Sequence, residues 1–350
     1  MHCIVPFAAP APSAQAGRAA MAAMQWPRLA ALLPRLTLVD RDEGEVTSFS
    51  PPHERVLARA LGWPLADAAG GLPTLGTVPP PGAAQASPAA ATLAAITSND
   101  GCWPIAAHLA RADGIDPGQR AWGLVSPVHW HLGTDQVSLT DPELLQLDEQ
   151  GSRALFEAVK PLLVEEGLDF VFGHALRWYV AHESLAGLRT ASLDRVVGRN
   201  VDPWLGSGAD APALRRWRRL QAEVQMLLHS HPLNSEREAR GLLPVNSFWL
   251  SGCGRAAVAS AAGVLQPQFE NTLRAAALAE DWDAWAAGWR RIEDGALLGL
   301  DLAWRRGNDA WLTLCGECSA VTFAPMRGGF ASRLKSLLTR PSVPKLLASL

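Results

Sequence analysis

The sequence has no run of roughly 18 to 20 uninterrupted apolar residues, the length that a membrane-spanning helix needs. It also has no excess of one charge, because 31 Lys and Arg residues against 34 Asp and Glu residues give a net charge of −3. A chain with this balance has no overall attraction to nucleic acid or to an anionic membrane surface. We therefore expect neither a nucleic-acid partner nor a membrane partner.

Cysteine is scarce as well, at five residues in a chain of 350. An odd number of widely spaced cysteines is not typical of a secreted disulfide scaffold. The N-terminal sequence "MHCIVPFAAPAP" has no basic region before its apolar run, and prolines interrupt the run. We interpret residues Cys3 to Phe7 as a buried first strand and expect the protein to be cytoplasmic. The five cysteines are Cys3, Cys102, Cys253, Cys315 and Cys318.

Strand-like and helix-like segments alternate along the chain, and no repeat of fixed period is present. "RAWGLVSPVHWHL" is typical of a strand, and Asp148 is placed to cap a helix through "EQGSRALFEAVKPLLVEEG". The strands "DFVFG" and "LRWYVAHE" follow. This alternation predicts an α/β fold with a mainly parallel sheet covered by helices, in a single domain over residues 1–340.

Two later helices have one apolar face each. The first starts at Asp210 and carries Leu214, Trp217, Leu220, Val224, Leu227 and Leu228 on that face. The second carries Trp282, Trp285, Trp289 and Ile292, a spacing that favours core packing over an aromatic binding box.

Two segments lack such patterns. Residues from about 66 to 91 are rich in Gly, Pro and Ala, which predicts a long loop or a flexible insertion. The tail at 326–350 has five basic and no acidic residues, so a protein-interaction module is one reading of it, and a solvated helix is the other.

The stretch "PVHWHLGTDQVSLTDP" places two histidines at a strand end. His129 and His131 are separated by one residue, so on a strand their side chains share a face. This is the geometry by which a sheet offers two imidazoles to one metal ion. Asp135 is a candidate third ligand or base, and His182, His229 and His231 are others. In the alternative reading, these histidines form hydrogen bonds with loop backbone.

The segments "LRWYVAHE" and "TASLDRVVGRNVDPWL" concentrate arginines near acidic groups. Guanidinium groups suit planar carboxylates and phosphates, so this set predicts an anion site. Internal Arg–Asp pairs are the alternative use of the same residues. The residues concerned are Arg177, His182, Arg195, Arg199 and Asp202.

"VNSFWLSGCGRAA" joins a strand to a glycine-rich turn that formally fits the dinucleotide motif G-x-G-x-x-G/A. The motif normally opens the first βαβ unit of its domain, whereas this one lies deep in the chain, and we favour a tight loop that needs glycine. Its candidate ligand-binding residues are Asn246, Ser251, Gly252, Gly254 and Arg255. The sequence C-G-E-C at 315–318 is either half a metal site, a redox pair or two buried thiols.

Four segments together resemble the proteobacterial RpfE-type regulatory proteins over nearly the whole chain. They are "SPPHERVLARALG", "PVHWHLGTDQVSLTDP", "RWYVAHESLAGLRTASLDRVVGRNVDPWL" and "LQAEVQMLLHSHPLNSEREARGLLPVNSFWLSGCGR". Members of that family are often labelled phosphoglycerate mutase, and "PVNSFWLSGCG" is remotely similar to a segment of archaeal-type cofactor-independent phosphoglycerate mutases. This resemblance implies an alkaline-phosphatase-like fold.

Those mutases use an Asp after the first strand, a Ser or Thr nucleophile and an Asp-His pair for two metal ions. Here "CIVPFAAPAP" has no Asp after the first strand, and the chain has no Asp-His dipeptide. We therefore expect a catalytically degenerate regulatory or ligand-binding protein, without a cofactor, that binds a small anionic metabolite and, as a further candidate partner, another protein. The alternative is a metal-dependent phosphoryl-transfer or hydrolytic enzyme that uses Zn or Mn on His129, His131 and Asp135.

Overall fold

The computed structural model of the protein describes residues 1–63, 99–133, 136–205, 211–257, 267–326 and 342–350. The predicted insertion at about 66–91 and the candidate ligand Asp135 lie outside these residues, as does most of the basic tail. The chain divides into two units. The first combines Met1–Trp63 with the described part of Ser260–Leu350, and the second contains the described part of Pro81–Ala259. The expected single domain over 1–340 stays a prediction.

The sheet of the first unit has the strand order β2-β11-β10-β1-β9. Strand β1 (His2–Val5) is buried throughout and pairs in parallel with β10 (Trp311–Cys315) and with β9 (Pro267–Phe269). Strand β11 (Ser319–Pro325) pairs antiparallel with β10 and with the edge strand β2 (Leu36–Glu43). The buried first strand expected at the N-terminus is thus confirmed.

Seven helices of the first unit lie within the described residues. Its core joins the buried strand residues to Trp26, Trp285 and Trp289. Trp285 and Trp289 donate their indole N–H groups to the backbone oxygens of Phe7 and Ala8, so the predicted core role of this tryptophan stripe is confirmed. The helices are α1 (Gln15–Ala23), α2 (Pro27–Leu32), α3 (Pro52–Ala60), α9 (Arg274–Leu278), α10 (Trp282–Asp294), α11 (Ala296–Arg305) and α12 (Val343–Leu347).

A buried charge cluster ties helix α3 to the edge strand β2. The side chain of Asp42 on β2 is 0% exposed. It accepts hydrogen bonds from Arg55 Nε at 2.9 Å, Arg55 Nη2 at 2.6 Å and Arg59 Nη1 at 2.6 Å. Asp40, on the same strand, is 28% exposed and lies 3.2 Å from Arg59. The carboxylates of Asp42 and Asp40 together therefore balance two buried guanidinium groups from successive turns of α3.

The second unit contains an antiparallel sheet of order β6-β7-β3-β8. Its strands are β3 (Ala121–Val128), β6 (Asp169–His174), β7 (Arg177–Ala181) and the edge strand β8 (Ser247–Arg255). A separate hairpin joins β4 (Trp130–Leu132) to β5 (Val137–Leu139). The strands predicted at "DFVFG" and "LRWYVAHE" are therefore present, and the one predicted over "RAWGLVSPVHWHL" is divided at His129 into β3 and β4.

Helices cover both faces of this second sheet. On one face, α5 (Glu149–Glu165) and α7 (Ala211–His229) pack against alternate strand residues such as Trp178 and Val180. On the other face, α4 (Ile105–Ala112) packs against Trp122 and Tyr179. The short helices α6 (Leu193–Val196) and α8 (Pro232–Ala239) complete the described helices of this unit.

The predicted start of α5 and the predicted apolar face of α7 are confirmed, whereas Asp210, the predicted start of α7, lies outside the described residues. Asp148 caps α5 by accepting a hydrogen bond from the Gly151 backbone N–H at 2.7 Å. On α7, the predicted apolar face is buried at Leu214, Trp217, Leu220, Val224 and Leu228. Local periodicity therefore predicted these elements correctly.

The prediction of a mainly parallel sheet is wrong. Strands β6 and β7 are joined by only two residues, 175 and 176, and a connection of that length can join antiparallel strands alone. Strand β3 is antiparallel to both of its neighbours, β7 and β8. The described residues form an α/β fold with one mixed sheet, one four-stranded antiparallel sheet and the two-stranded hairpin, because alternation of helices and strands does not fix strand direction.

None of the helices in the described part of the chain combines the length and the apolar character needed to cross a membrane.

Candidate functional site

The second unit contains a small, solvent-open cavity of about 50 Å³ beside the edge strand β8. One wall is the face of α7 that turns toward β8, where the spacing of Leu214, Trp217 and Gln221 follows the helical repeat. The segment 189–191 forms the opposite wall. The lining residues are Arg189, Thr190, Ala191, Trp204, Leu205, Leu214, Trp217, Arg218, Gln221, Phe248, Trp249 and Leu250.

Hydrogen bonds from α7 and from β8 hold these walls in place. Gln221 donates its Nε2 to the Phe248 carbonyl at 2.7 Å, so the helix satisfies backbone of the edge strand. Trp249 donates its Nε1 to the Ala191 carbonyl at 2.8 Å, which fixes the segment 189–191 against β8. Trp217 and Phe248 meet edge to face, with ring centroids 6.4 Å apart. The cavity walls are therefore held in a defined geometry.

Two arginines bring positive charge to the cavity. Arg189 donates its Nε to the Asp100 carbonyl at 3.0 Å, and its Nη2 lies 3.5 Å from the Asp100 carboxylate. Arg218 donates its Nη2 to the Leu205 carbonyl at 3.1 Å. Guanidinium groups bind planar anions through paired, charge-assisted hydrogen bonds. The cavity thus combines apolar walls with two groups suited to an acid.

One of the residues that line the cavity has a buried hydrogen-bond donor. Trp217 is 5% exposed, and its indole Nε1 is shielded from solvent and finds no hydrogen-bond partner among the residues that the structure describes. An unsatisfied buried donor costs about 1–3 kcal/mol.

The histidines of "PVHWHLGTD" lie at one end of the second sheet. His129 Nδ1 is 2.8 Å from the Pro244 carbonyl oxygen. Asn246 accepts from the Trp130 backbone N–H at 2.7 Å and donates to its carbonyl at 2.9 Å. His131 is exposed and pairs with Ser138 in the β4–β5 hairpin. His129 and Asn246, two of the predicted site residues, therefore contact neighbouring backbone and hold it in place.

The residues of "HESLAG" and "LSGCGR" lie at the other end of the same sheet. His182 Nδ1 accepts a hydrogen bond from the Ser184 backbone N–H at 3.0 Å. Arg255 forms an ion pair with Glu183, and both side chains are more than half exposed. Register places Ala121 opposite Arg255 and Val128 opposite Ser247. An eight-residue strand, roughly 23 Å from end to end at about 3.3 Å per residue, separates the two ends. The segments "HWHLGTD" and "GRNVD" at one end and "HESLAG" and "LSGCGR" at the other end therefore do not share one cleft.

The structure instead brings these segments together in pairs. Asn200 forms an isolated β-bridge with Ser138, so "GRNVD" lies beside the β4–β5 hairpin that follows His129. In this region Arg199 and Asn200 are partly buried and Asp202 is exposed. "HESLAG" meets "LSGCGR" through the ion pair between Glu183 and Arg255.

The predicted arginines contribute mainly to internal contacts. Arg177 donates its Nε and Nη2 to the two carboxylate oxygens of Asp113 at 2.9 and 2.6 Å, and the Tyr179 hydroxyl donates to the same carboxylate at 2.6 Å. Arg195 is buried. The two cavity arginines, Arg189 and Arg218, are outside the set that the sequence predicted. The run "RRWRR" at 215–219 was the available signal for Arg218, and nothing local marked Arg189.

Within the cluster of Asp113, Arg177 and Tyr179, the pKa values of Asp113 and Tyr179 shift in opposite directions. Burial by itself raises the pKa of the Asp113 carboxyl, but the hydrogen bonds from Arg177 and Tyr179 and the charge of Arg177 outweigh it. The pKa therefore lies below its ordinary value of 3.8. Burial, together with the bond to Asp113, raises the pKa of Tyr179. The cluster ties the C-terminal end of α4 to strand β7.

The glycines of "LSGCGR" allow helix α4 to approach strand β8. Gly252 has φ +60°, and a Cβ there would lie 3.0 Å from the Ala106 backbone nitrogen. A Cβ on Gly254 would lie 2.8 Å from the Cys102 carbonyl oxygen. Ser251, on the same strand β8, is buried. Close packing thus explains why glycines occupy positions 252 and 254, a spacing that also fits the dinucleotide-binding motif.

Replacing Gly254 by alanine is expected to lower the free energy of unfolding by about 1–3 kcal/mol, because the new methyl group meets backbone atoms. Urea denaturation measures the change. Gly299→Ala is the matched control, since no heavy atom lies within 4 Å of a Cβ on this helical glycine. The control is expected to be neutral or more stable by up to about 1 kcal/mol. If Gly254→Ala is as stable as the native protein, the prediction is wrong, and the neighbouring backbone has moved to make space for the methyl group.

Metal binding stays a prediction. Within the described ranges, no group of three or more His, Cys, Asp or Glu side chains is arranged to hold a metal ion. Asp135, the third member of the predicted ligand set, lies outside those ranges. Cys315 of the C-x-x-C motif is fully buried, and burial raises its pKa, which disfavours the thiolate needed for metal or redox chemistry.

Several solved structures are similar to this chain, and the following are two of them. The first is a cofactor-independent phosphoglycerate mutase from Thermoplasma acidophilum DSM 1728, with 12% identity and a TM-score of 0.35, covering 100% of this chain and 95% of that one. The second is the PH0037 protein from Pyrococcus horikoshii, with 12% identity and a TM-score of 0.40, covering 95% of this chain and 92% of that one. These TM-scores are too low to carry an inference about function. No family model and no curated protein matches the chain.

Proposed function

We propose that this chain is a binding protein for a small organic anion, carboxylated or phosphorylated, and that the ligand occupies the cavity between α7, β8 and the segment 189–191. The observation that carries the proposal is the joint presence of Arg189 and Arg218 in a cavity with four aromatic side chains. Pockets that bind small molecules have this composition, mostly apolar walls with a few polar groups that orient the ligand.

We further propose a regulatory role of the RpfE type without phosphoglycerate mutase activity. Support comes from the four sequence segments that resemble that family and from the lack of an Asp after β1 and of an Asp-His pair. A two-metal site of the mutase kind needs those carboxylates. The odd number and wide spacing of the cysteines support a reducing compartment such as the cytoplasm.

Binding is tested by titrating the full chain with inorganic phosphate, 3-phosphoglycerate and benzoate at constant ionic strength, with tryptophan fluorescence and calorimetry as readouts. At least one anion is expected to bind. Arg218→Gln is expected to weaken that binding about tenfold or more, since tenfold corresponds to about 1.4 kcal/mol and a charge-assisted hydrogen bond contributes about that much.

Arg215→Gln is the matched control, because Arg215 is exposed on the same helix and does not line the cavity. It should leave the affinity unchanged within about twofold. The proposal is wrong if no anion binds at millimolar concentration, or if the two arginine variants weaken binding equally. Interconversion of phosphoglycerates with added manganese, assayed in parallel, is expected to be absent, and turnover lost in His129→Ala would favour the metal-enzyme alternative.

A further inference from the structure

We infer that the protein forms a twofold dimer in which strand β6 of one copy pairs antiparallel with β6 of a second copy. The inference goes beyond the proposed anion site and does not depend on it. Three features of the second unit carry it: the outward backbone groups of β6, a sequence that lacks the usual protection of an edge strand, and the complementarity of this strand to itself.

The first feature is the direction of the backbone groups of β6. These groups alternate in direction along a strand, so one known hydrogen bond fixes the direction of the others. His182, directly after β7, donates its backbone N–H to the first residue of β3 at 3.0 Å. Tyr179 lies three residues earlier and therefore bonds on the opposite side, to β6, where it is opposite Val171. The neighbours of Val171, Phe170 and Phe172, thus direct their N–H and C=O groups away from the sheet.

These outward groups have no hydrogen-bond partner in the part of the chain that the structure describes. Strand β6 is the last of its sheet, and the described elements that pack closely on it are β7 at its side and α5 over one face. The opposite edge strand, β8, is covered, because Gln221 of α7 donates to the Phe248 carbonyl. Unpaired backbone groups along an edge form a template for a further strand.

The second feature is the composition of β6. Natural edge strands often carry charged side chains or proline, which oppose pairing with another chain. The sequence of β6 is DFVFGH, with an apolar centre and a register irregularity confined to its last residues. Its one carboxylate, Asp169, is at the first position and forms an ion pair with Arg120. The edge strand β2, by comparison, has four charged residues in the sequence LTLVDRDE. Strand β6 is therefore the edge that favours association.

The third feature is that β6 is complementary to itself in one antiparallel register. With the twofold axis at Val171, Phe170 of each copy lies opposite Phe172 of the other, and their outward groups exchange N–H···O bonds. Both phenylalanines contact Phe156 of α5, with ring centroids 4.4 and 5.4 Å away, so they form one aromatic row under the helices. The Val171 side chains meet at the axis on the other face. Aromatic and β-branched pairs of this kind stabilise antiparallel strands.

The charged groups of β6 also match in this register. Asp169 lies opposite Gly173 of the second copy and next to its His174, so an acidic group meets a basic one at both ends of the pairing. Twofold dimers are the commonest assemblies of identical chains, and this one closes, because the pairing uses the same edge on both copies. A second copy is therefore the occupant that fits the edge.

Association is measured by sedimentation equilibrium of the full chain over a range of micromolar concentrations. The native chain is expected to reach twice its mass of 37.4 kDa. Val171→Lys is expected to raise the dissociation constant of the dimer about tenfold or more, because two ammonium groups then face each other at the axis. Val39→Lys is the matched control. Val39 is 46% exposed on β2, the edge strand of the other sheet, and the same change there is expected to leave the constant unchanged.

Hydrogen exchange in the native protein tests the contact without any substitution. The amide hydrogens of Phe170 and Phe172 are expected to exchange slowly at a concentration that favours the dimer and much faster after dilution. The Val171 amide bonds to β7 within one copy. It is expected to stay protected at both concentrations and is the internal reference.

Three results would overturn the inference. The first is a chain that sediments as a monomer throughout the range. The second is a dimer that Val171→Lys leaves intact or that Val39→Lys weakens equally, since its interface then lies elsewhere. The third is fast exchange of the Phe170 and Phe172 amides in a dimer, a result that decides the question even if Val171→Lys does not fold.

Discussion

Replacing Asp42 by asparagine is expected to lower the free energy of unfolding by about 3–5 kcal/mol, because removing one partner of a buried ion pair leaves an uncompensated charge. Here two guanidinium groups depend on one carboxylate, since Arg55 and Arg59 both donate to it and all three side chains are buried. The asparagine has nearly the same shape, so the loss reports charge and hydrogen bonding rather than volume. Urea denaturation, followed by far-ultraviolet circular dichroism, measures it.

Asp40→Asn is the control for this prediction. Asp40 is 28% exposed and lies 3.2 Å from Arg59, so solvent screens the pair and the expected loss is below about 1 kcal/mol. If Asp42→Asn unfolds at the same urea concentration as Asp40→Asn, the buried cluster does not stabilise the first unit. Loss of soluble protein for Asp42→Asn alone agrees with the prediction.

Asparagine in place of Asp113 is expected to lower the free energy of unfolding by about 2–3 kcal/mol at pH 7, because Arg177 and Tyr179 lose a charged acceptor. The carboxyl is only 11% exposed, so screening by water is limited. Asp116→Asn is the control, since Asp116 is exposed and accepts a hydrogen bond from the Gly118 backbone N–H alone among its described contacts. The control is expected to change stability by less than about 0.5 kcal/mol.

The same substitution predicts a pH dependence. The pKa of Asp113 is lowered in the folded state, so its contribution is fully present above the ordinary value of 3.8 and is lost as the pH falls through the lower folded value. The difference in stability between the native protein and Asp113→Asn is therefore expected to shrink between pH 7 and pH 3. A difference that stays constant over this interval would contradict the assigned role of the carboxylate charge.

Local pattern was sufficient for most of the individual elements. The face of α7 from Leu214 to Leu228 follows from spacing, because burial on one side imposes a period on the sequence, and strand β3 follows from its largely apolar run, because it is buried on both faces. The direction of the strands in the sheets could not be predicted from local spacing. It depends on contacts between distant segments, such as β3 with β8, and these leave no periodic signal.

The candidate cavity was harder to predict for the same reason. Arg218 belongs to the run "RRWRR", which resembles a solvated helix face. Arg218 differs from Arg215 in that it lines the cavity together with the segment 189–191, which is distant in the sequence. The glycines at 252 and 254 matched a nucleotide motif, although α4 packs against them. Asp42 in "LTLVDRDE" reads as a surface residue, and its burial depends on two arginines of α3.

The position of Asp42 on an edge strand also restricts how that strand can pair. Successive residues of a strand face opposite sides, so a slip of β2 by one residue against β11 would bring the neighbouring Arg41 or Glu43 into the interior and expel Asp42. Either exchange leaves Arg55 and Arg59 without their carboxylate. The cluster therefore selects one register of β2, and it disfavours the misaligned or intermolecular pairing to which an eight-residue edge strand is otherwise open.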